Sequence, residues 1–211
     1  KRQYVSGETM YIWGKQYFLT FISDAQKNRF EIVGNKVFLR MREESSVKQR
    51  ESYVRERYRM MLKSEIERLL PKWEQITGLY CESWQTKYMV TRWGTCNTDK
   101  KRLWFNLQLI QKPVECLEYV ILHELIHLRE RTHNEVFTAY MDLYMPNWRE
   151  IRKQLNDSML DFYDAQDESP LQKLIDQRRY GEIKNAVFSH LKEEMKQKKA
   201  TLSDIKIQDV V

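Results

Sequence analysis

Leu122-His123-Glu124-Leu125-Ile126-His127 is the stretch on which the reading of this chain turns. Two of the chain's four histidines stand here, four residues apart. On a helix that spacing stacks both imidazoles on one face, one turn above the other. Glu124 sits within the pair, next to His123. This is the H-E-x-x-H pattern, in which two histidines hold zinc and the glutamate works on a water that the metal polarises. A third histidine, His133, follows six residues after His127. The flanks are strongly apolar, with Tyr119, Val120, Ile121 and Leu122 before the pair and Leu125, Ile126 and Leu128 within and after it. An unpaired His or Glu is costly in such surroundings. Pro113 suits the first helical position, and Glu115 and Glu118 suit the first turns. A helix is therefore expected over residues 113–130, with Zn2+ as the cofactor.

The third ligand poses a geometric problem. A helix turns about 100° per residue, so six residues carry His133 about 240° round from His127. A continuous helix would point it away from the metal. The helix must end near residues 130–132 and the chain must turn back. Metzincins make this turn with a glycine, and Glu130 stands there instead. Arg131 and Thr132 must then turn in some other conformation. The rival ligand is Glu135 on the next helix, and the spacing favours His133.

Length and composition bound the rest. The chain has 211 residues, with 42% hydrophobic and 12% aromatic residues, enough for one good core and an appendage. No apolar run reaches membrane-spanning length, and the opening residues carry no secretory core. No membrane partner is expected. Cys81, Cys96 and Cys116 are an odd count without zinc-knuckle spacing and read as reduced thiols, which points to a cytoplasmic protein. The formal charge is +6. The stretch from Ser158 onward is nearly neutral, so the excess lies on the part before it. A basic surface can meet nucleic acid, but no basic tail or nucleic-acid motif accompanies it. A solvated basic face is the preferred reading.

Two hairpin signals, Gly14-Lys15 and Gly34-Asn35, divide the first 41 residues into about four strands, expected as an antiparallel meander. Residues 46–70 carry apolar positions at helical spacing, and Pro71 is expected to break or kink that helix. Residues 87–96 and 102–107 read as a hairpin leading into the His-bearing helix. Gly94 inside its first strand suggests a bulge or a close approach of backbone. Zinc peptidases commonly add an extended peptide to a sheet edge beside the metal. Trp93, Gly94, Thr95 and Asn106 are accordingly the candidate substrate-binding residues, although Trp93 and Trp104 also suit an ordinary core. Two further helices are expected over residues 134–144 and after Pro146. The polar stretch 165–170 ends in Pro170 and reads as a linker to C-terminal helices, whose Leu174, Ile175, Val187, Phe188 and Leu191 need burial. Those helices are candidates for self-association or partner binding.

Arg92-Trp93-Gly94-Thr95-Cys96, together with His123-Glu124-Leu125-Ile126-His127-Leu128, His133 and Phe137, resembles the YgjP-like metallopeptidases, zincins related to the SprT-like and WLM proteases. The likeness runs to about Leu155. Thr95 stands where the family has Ser, which keeps the hydroxyl. The resemblance implies an α+β, zincin-like metallopeptidase domain over residues 1–157, with small antiparallel sheets packed on helices; it does not cover the end of the chain, where the linker and the helical pattern predict a C-terminal helical extension over 165–211. It implies a peptide or protein substrate, His123, His127 and His133 as metal ligands, and Glu124 as catalytic base. Asn106 and Tyr140 are candidates for a second electrophile. Two other functions compete with a general peptidase. One is a protease of DNA-associated proteins. The other is a zinc-stabilised interaction module without catalysis.

Overall fold

A computed structural model describes residues 2–23, 27–42 and 44–156, with Ser189 and Glu193 beyond them. The expected C-terminal unit lies outside the described residues. Four strands open the chain: β1 (Thr9–Ile12), β2 (Lys15–Ser23), β3 (Arg29–Val33) and β4 (Lys36–Met41). They form one sheet in the order β1-β2-β4-β3. Both hairpin turns occur where glycine signals them. Trp13 and Gly14 have positive φ (50° and 76°), as a tight primed turn requires.

The meander expectation needs correction, because β2 pairs with β4 in parallel. Burial explains the order. Val37, Leu39 and Met41 are at most 3% exposed, so β4 takes an interior place. Ile32 and Val33 stay exposed, which suits β3 to the edge.

Helix α1 (Val47–Thr77) follows, and it starts on a capping box between Ser46 and Gln49. It ends at Gly78 in the left-handed conformation. It runs unbroken through Pro71, against expectation. The buried stripe of Tyr58, Leu62, Ile66, Leu69 and Leu70 continues into Trp73 and Thr77 beyond the proline. Each large side chain so buried contributes about 1.5–3 kcal/mol, enough to hold a turn that lacks one backbone hydrogen bond.

The second sheet has β5 (Ser83–Lys87), β6 (Gly94–Asn97) and β7 (Arg102–Asn106), in the order β5-β7-β6. β6 and β7 form the expected antiparallel hairpin, but β5 lies parallel to β7. Both sheets are therefore mixed, where antiparallel ones were expected. Residues 88–93 leave the sheet, so 87–96 is not one strand. Asn106 is the cause. Its amide Nδ2 donates to the carbonyls of Met89 (2.9 Å) and Arg92 (2.7 Å), and its Oδ1 accepts from the Met89 N–H (3.3 Å). These bonds fold 88–93 into a loop over the end of β7.

A 3-10 turn (Leu107–Gln111) leads to α2 (Val114–Ile126). Pro113 is the N-cap rather than the first helical residue, and the helix stops at Ile126, short of residue 130. α2 is apolar on almost every side. Leu117, Ile121, Leu122, Leu125 and Ile126 are fully buried, as befits a helix at the centre of a domain. It packs on α1, on β6 and β7, on α3 (Glu135–Tyr144) and on α4 (Trp148–Asn156). Gly14 fixes the first sheet to its start, because a Cβ there would lie 2.8 Å from Pro113 Cγ.

Candidate metal centre and cleft

The last turn of α2 carries His123 and Glu124, and His127 caps it. After Ile126 the chain tightens, with Leu128 N–H donating to the Leu125 carbonyl and Arg129 and Glu130 N–H to that of Ile126. Glu130 then builds the reversal that glycine makes elsewhere. Its carboxylate accepts from Thr132 N–H (3.2 Å) and Thr132 Oγ1 (2.9 Å). No positive φ occurs at residues 129–134. A side chain thus replaces the left-handed residue. Asn134 caps α3 by accepting from Phe137 N–H at 3.0 Å, and His133 precedes it.

The result is a triangle of ring nitrogens. His123 Nε2 and His127 Nε2 are 3.1 Å apart, and His133 Nε2 lies 2.9 Å and 3.0 Å from them. Phe137 sits against all three rings, with centroid distances of 4.8–4.9 Å. His127 Nδ1 donates to the Glu130 carbonyl at 3.0 Å, which leaves its Nε2 as a bare lone pair. Burial holds His123 well below the usual histidine pKa, and the charges of His127, His133 and Arg152 push the same way. Burial also lowers His127, against the opposing pull of Glu130. Neutral imidazoles facing one point repel unless a cation joins them. The donor set fits a zinc ion held by three nitrogens with a fourth position open. Among the described residues this cluster contains no carboxylate, and Glu135 lies outside it.

Glu124 is 5% exposed and packs against Gly94. Cys96 lies near it. Burial, then the Glu124 charge, pushes the Cys96 thiol up to about 12, so it is no nucleophile at neutral pH. A cleft of about 920 Å³ runs past the histidines, and Trp93, Gly94, Thr95, Arg152 and Asn156 are among the residues that line it. Trp93 closes part of it, because its indole N–H donates to Asn156 Oδ1 at 3.1 Å. The outer edge of β6 has no strand partner among the described residues.

Two of the expected residues do not reach this cleft. Asn106 is fully buried, and its amide is engaged with the 88–93 loop and with Gln108 N–H. Tyr140 is buried and stacks on Tyr144 (6.2 Å). Two residues escaped sequence reasoning. Tyr119 stands one turn before His123, and its ring lies 5.7 Å from that imidazole while stacking on Trp148. The helical spacing from His123 was its available signal. Arg152 had none, since only the tertiary fold brings α4 to the metal centre.

The family model for the YgjP-like metallopeptidase domain matches residues 1–158. The chain belongs to the YgjP-like metallopeptidase family. No curated protein matches it. Among solved structures it is similar to the crystal structure of the metallopeptidase zymogen of Pyrococcus abyssi abylysin, at 18% identity and a TM-score of 0.42, over 44% of this chain and 94% of that one. The YgjP-like domain is an α+β, zincin-like domain, and its three histidines can hold a metal ion. No helix among its described residues is long and apolar enough to cross a membrane.

Proposed function

We propose that this chain is a zinc-dependent peptidase in which His123, His127 and His133 hold the metal and Glu124 is the general base. The observation that carries this reading is the convergence of three Nε2 atoms within 2.9–3.1 Å, beside a buried carboxylate. Zinc in such a site supplies Lewis acidity and lowers the pKa of water to about 7. Glu124 accepts the proton as water attacks the scissile carbonyl, and returns it to the leaving amine. Gly94 leaves the space that the Glu124 side chain occupies. The free edge of β6 takes the substrate as an added strand, so Trp93, Gly94 and Thr95 contact the peptide main chain. Cys81, Cys96 and Cys116 are free thiols, which suits the cytoplasm, the compartment we propose.

The test combines metal analysis with a proteome-wide cleavage screen of wild type against Glu124→Gln. Wild type should carry one zinc and generate new peptide termini. Glu124→Gln should keep the zinc and lose about 10²- to 10⁴-fold in rate, the range of general-base catalysis. Cleavage by Glu124→Gln at the wild-type rate removes Glu124 from the mechanism.

A further inference from the structure

The first sheet has one face in the core and one outside it. Leu19, Val37 and Leu39 point inward and are at most 1% exposed. Helix α1 covers that side. The Tyr58 hydroxyl donates to the Tyr11 carbonyl at 3.2 Å, and the Tyr58 ring meets Phe30 edge-on at 6.4 Å. The alternate residues of each strand point the other way. There the pairing register draws a diagonal. Tyr11 of β1 lies opposite Gln16, and Phe18 stands two residues further along β2. Phe18 lies opposite Lys36, and Phe38 stands two residues further along β4. One more step of two reaches Arg40, and Arg29 of β3 lies opposite it. Three aromatic rings and a guanidinium thus cross four adjacent strands in one line, with steps of roughly 7–8 Å. Tyr11 is 41% and Phe18 45% exposed, and Phe38 is half-buried between them and Arg29. Large apolar side chains set singly on a surface are ordinary, but a contiguous row marks an interaction site.

Charge says what kind of partner fits. Residues 1–42 hold eight Lys and Arg against three Asp and Glu, a net of +5, against +6 for the whole chain. The fold therefore gathers nearly all the basic excess around this sheet. On its outer face Glu31 is the one carboxylate of the four strands, and it pairs with Arg40 at 3.8 Å. Arg29 and Lys36 are exposed and enter no ion pair among the described residues. Arg29 also stands directly opposite Arg40, and like charges so placed destabilise a sheet. An anion laid across them removes that cost. A row of rings flanked by cations matches unpaired bases on a phosphate backbone, since every base has a face to stack and the phosphates meet Lys and Arg. A duplex keeps its base faces inside the stack and offers these rings nothing. A lipid surface takes in protruding apolar side chains, and Phe38, sunk at the centre of the sheet, does not protrude.

We infer that the outer face of the first sheet is a docking surface for single-stranded nucleic acid, with bases stacked on Tyr11, Phe18 and Phe38 and phosphates held by Arg29 and Lys36. This surface is separate from the metal centre and does not depend on the peptidase reading. It is nevertheless fixed to the helix that carries the histidines. Trp13 N–H donates to the Ile110 carbonyl at 2.7 Å, and Gly14 packs on Pro113 at the start of α2.

The test titrates the zinc-loaded full chain into fluorescein-labelled RNA of mixed sequence, about 12 nucleotides long, and follows anisotropy. DNA of the same sequence, its duplex, inorganic polyphosphate and phosphatidylserine vesicles are the other arms. The single strands should bind with a Kd of about 1–100 μM, and the duplex and polyphosphate more weakly. Tighter binding of RNA than DNA supports the surface with a contact to the 2′-hydroxyl, and equal binding supports it without one. Phe18→Ala and Tyr11→Ala should each weaken binding at least about fivefold, and Phe18→Trp should retain it. Lys36→Ala should lower the slope of log Kd against log salt by about 0.7, the share of one single-strand phosphate. Urea midpoints check that the aromatic variants fold. Should either be destabilised, Lys36→Glu at its exposed position decides: weakened binding supports the surface and unchanged binding overturns it. Affinity unchanged in both aromatic variants overturns it, and so does polyphosphate binding as tightly as the oligonucleotides. Binding to vesicles with none to single strands overturns it as well.

Discussion

A Cβ placed on Gly94 would lie 2.5 Å from Oε1 of Glu124 and 2.8 Å from its Cγ. The backbone at Gly94 does not have a positive φ, so the glycine is required by space and not by conformation. The strand approaches the carboxylate so closely that no side chain fits between them. Gly94→Ala should therefore displace Glu124 while leaving the three histidines untouched. Zinc content should stay at the wild-type level and hydrolysis should fall at least about tenfold, since small misplacements of a catalytic group are costly. A variant with full activity would show that Glu124 has room to spare.

The third ligand gives the next prediction. His133 Nε2 closes the triangle at 2.9 Å from His123 Nε2, and Glu135 is not part of the cluster. His133→Ala should weaken zinc binding strongly, whereas Glu135→Ala should bind zinc nearly as wild type. Competition with a chromogenic chelator measures both. The reverse order would transfer the ligand role to the carboxylate.

Acid should destabilise the metal-free protein through the same histidines. Burial lowers both His123 and His127 below the ordinary value, so the folded chain refuses protons that the unfolded chain accepts. Unfolded histidine titrates near about 6.5. Stability is thus complete above that value and declines as pH falls through it towards the folded pKa values. Zinc retention should fall over the same window, because protons compete for the Nε2 lone pairs. Urea midpoints of EDTA-treated protein at about pH 7.5 and 5.5 should differ, and His123→Gln should flatten the slope. A midpoint independent of pH would show that these rings are not held neutral by the fold.

How much of this could be read from residues alone depends on range. The histidine cluster was legible in part because His123 and His127 are one helical turn apart, which puts both rings on one face. The two hairpins were legible because Gly14 and Gly34 mark turns that few other residues make. The strand order was not, because β2 and β4 are brought side by side by the burial of Val37, Leu39 and Met41, which is a contest among strands and not a local preference. Pro71 misled for a related reason: its local cost is outweighed by Trp73 and Thr77 burying on the same stripe. The turn before His133 was correctly required, but its maker was not the expected pair alone. The Glu130 side chain holds it, a role that becomes visible only with Thr132 N–H and Oγ1 in place.

Asn106 supplies the last prediction, and it separates a chemical role from a positioning one. Its side chain is fully buried and bonds Met89 twice, Arg92 once and Gln108 once. Gln108 Nε2 adds a second donor to the Met89 carbonyl at 2.9 Å, so that carbonyl keeps a partner when Asn106 is removed. The Arg92 carbonyl, the Met89 N–H and the Gln108 N–H lose the bonds that Asn106 supplies. Asn106→Ala should then cost roughly 2–4 kcal/mol, from unsatisfied buried groups and partial relaxation. The loop also carries Trp93, whose carbonyl accepts from the Asn106 N–H at 2.8 Å and whose indole bridges to Asn156. Loosening it disturbs the proposed peptide-binding wall, while the three histidines of the cluster stay put. The variant should keep its zinc, unfold at lower urea, and show a raised KM with a smaller change in kcat. An electrophile touching the scissile carbonyl would behave otherwise: kcat would collapse at unchanged stability. That pattern, measured on Asn106→Ala, would return Asn106 to the reacting atoms.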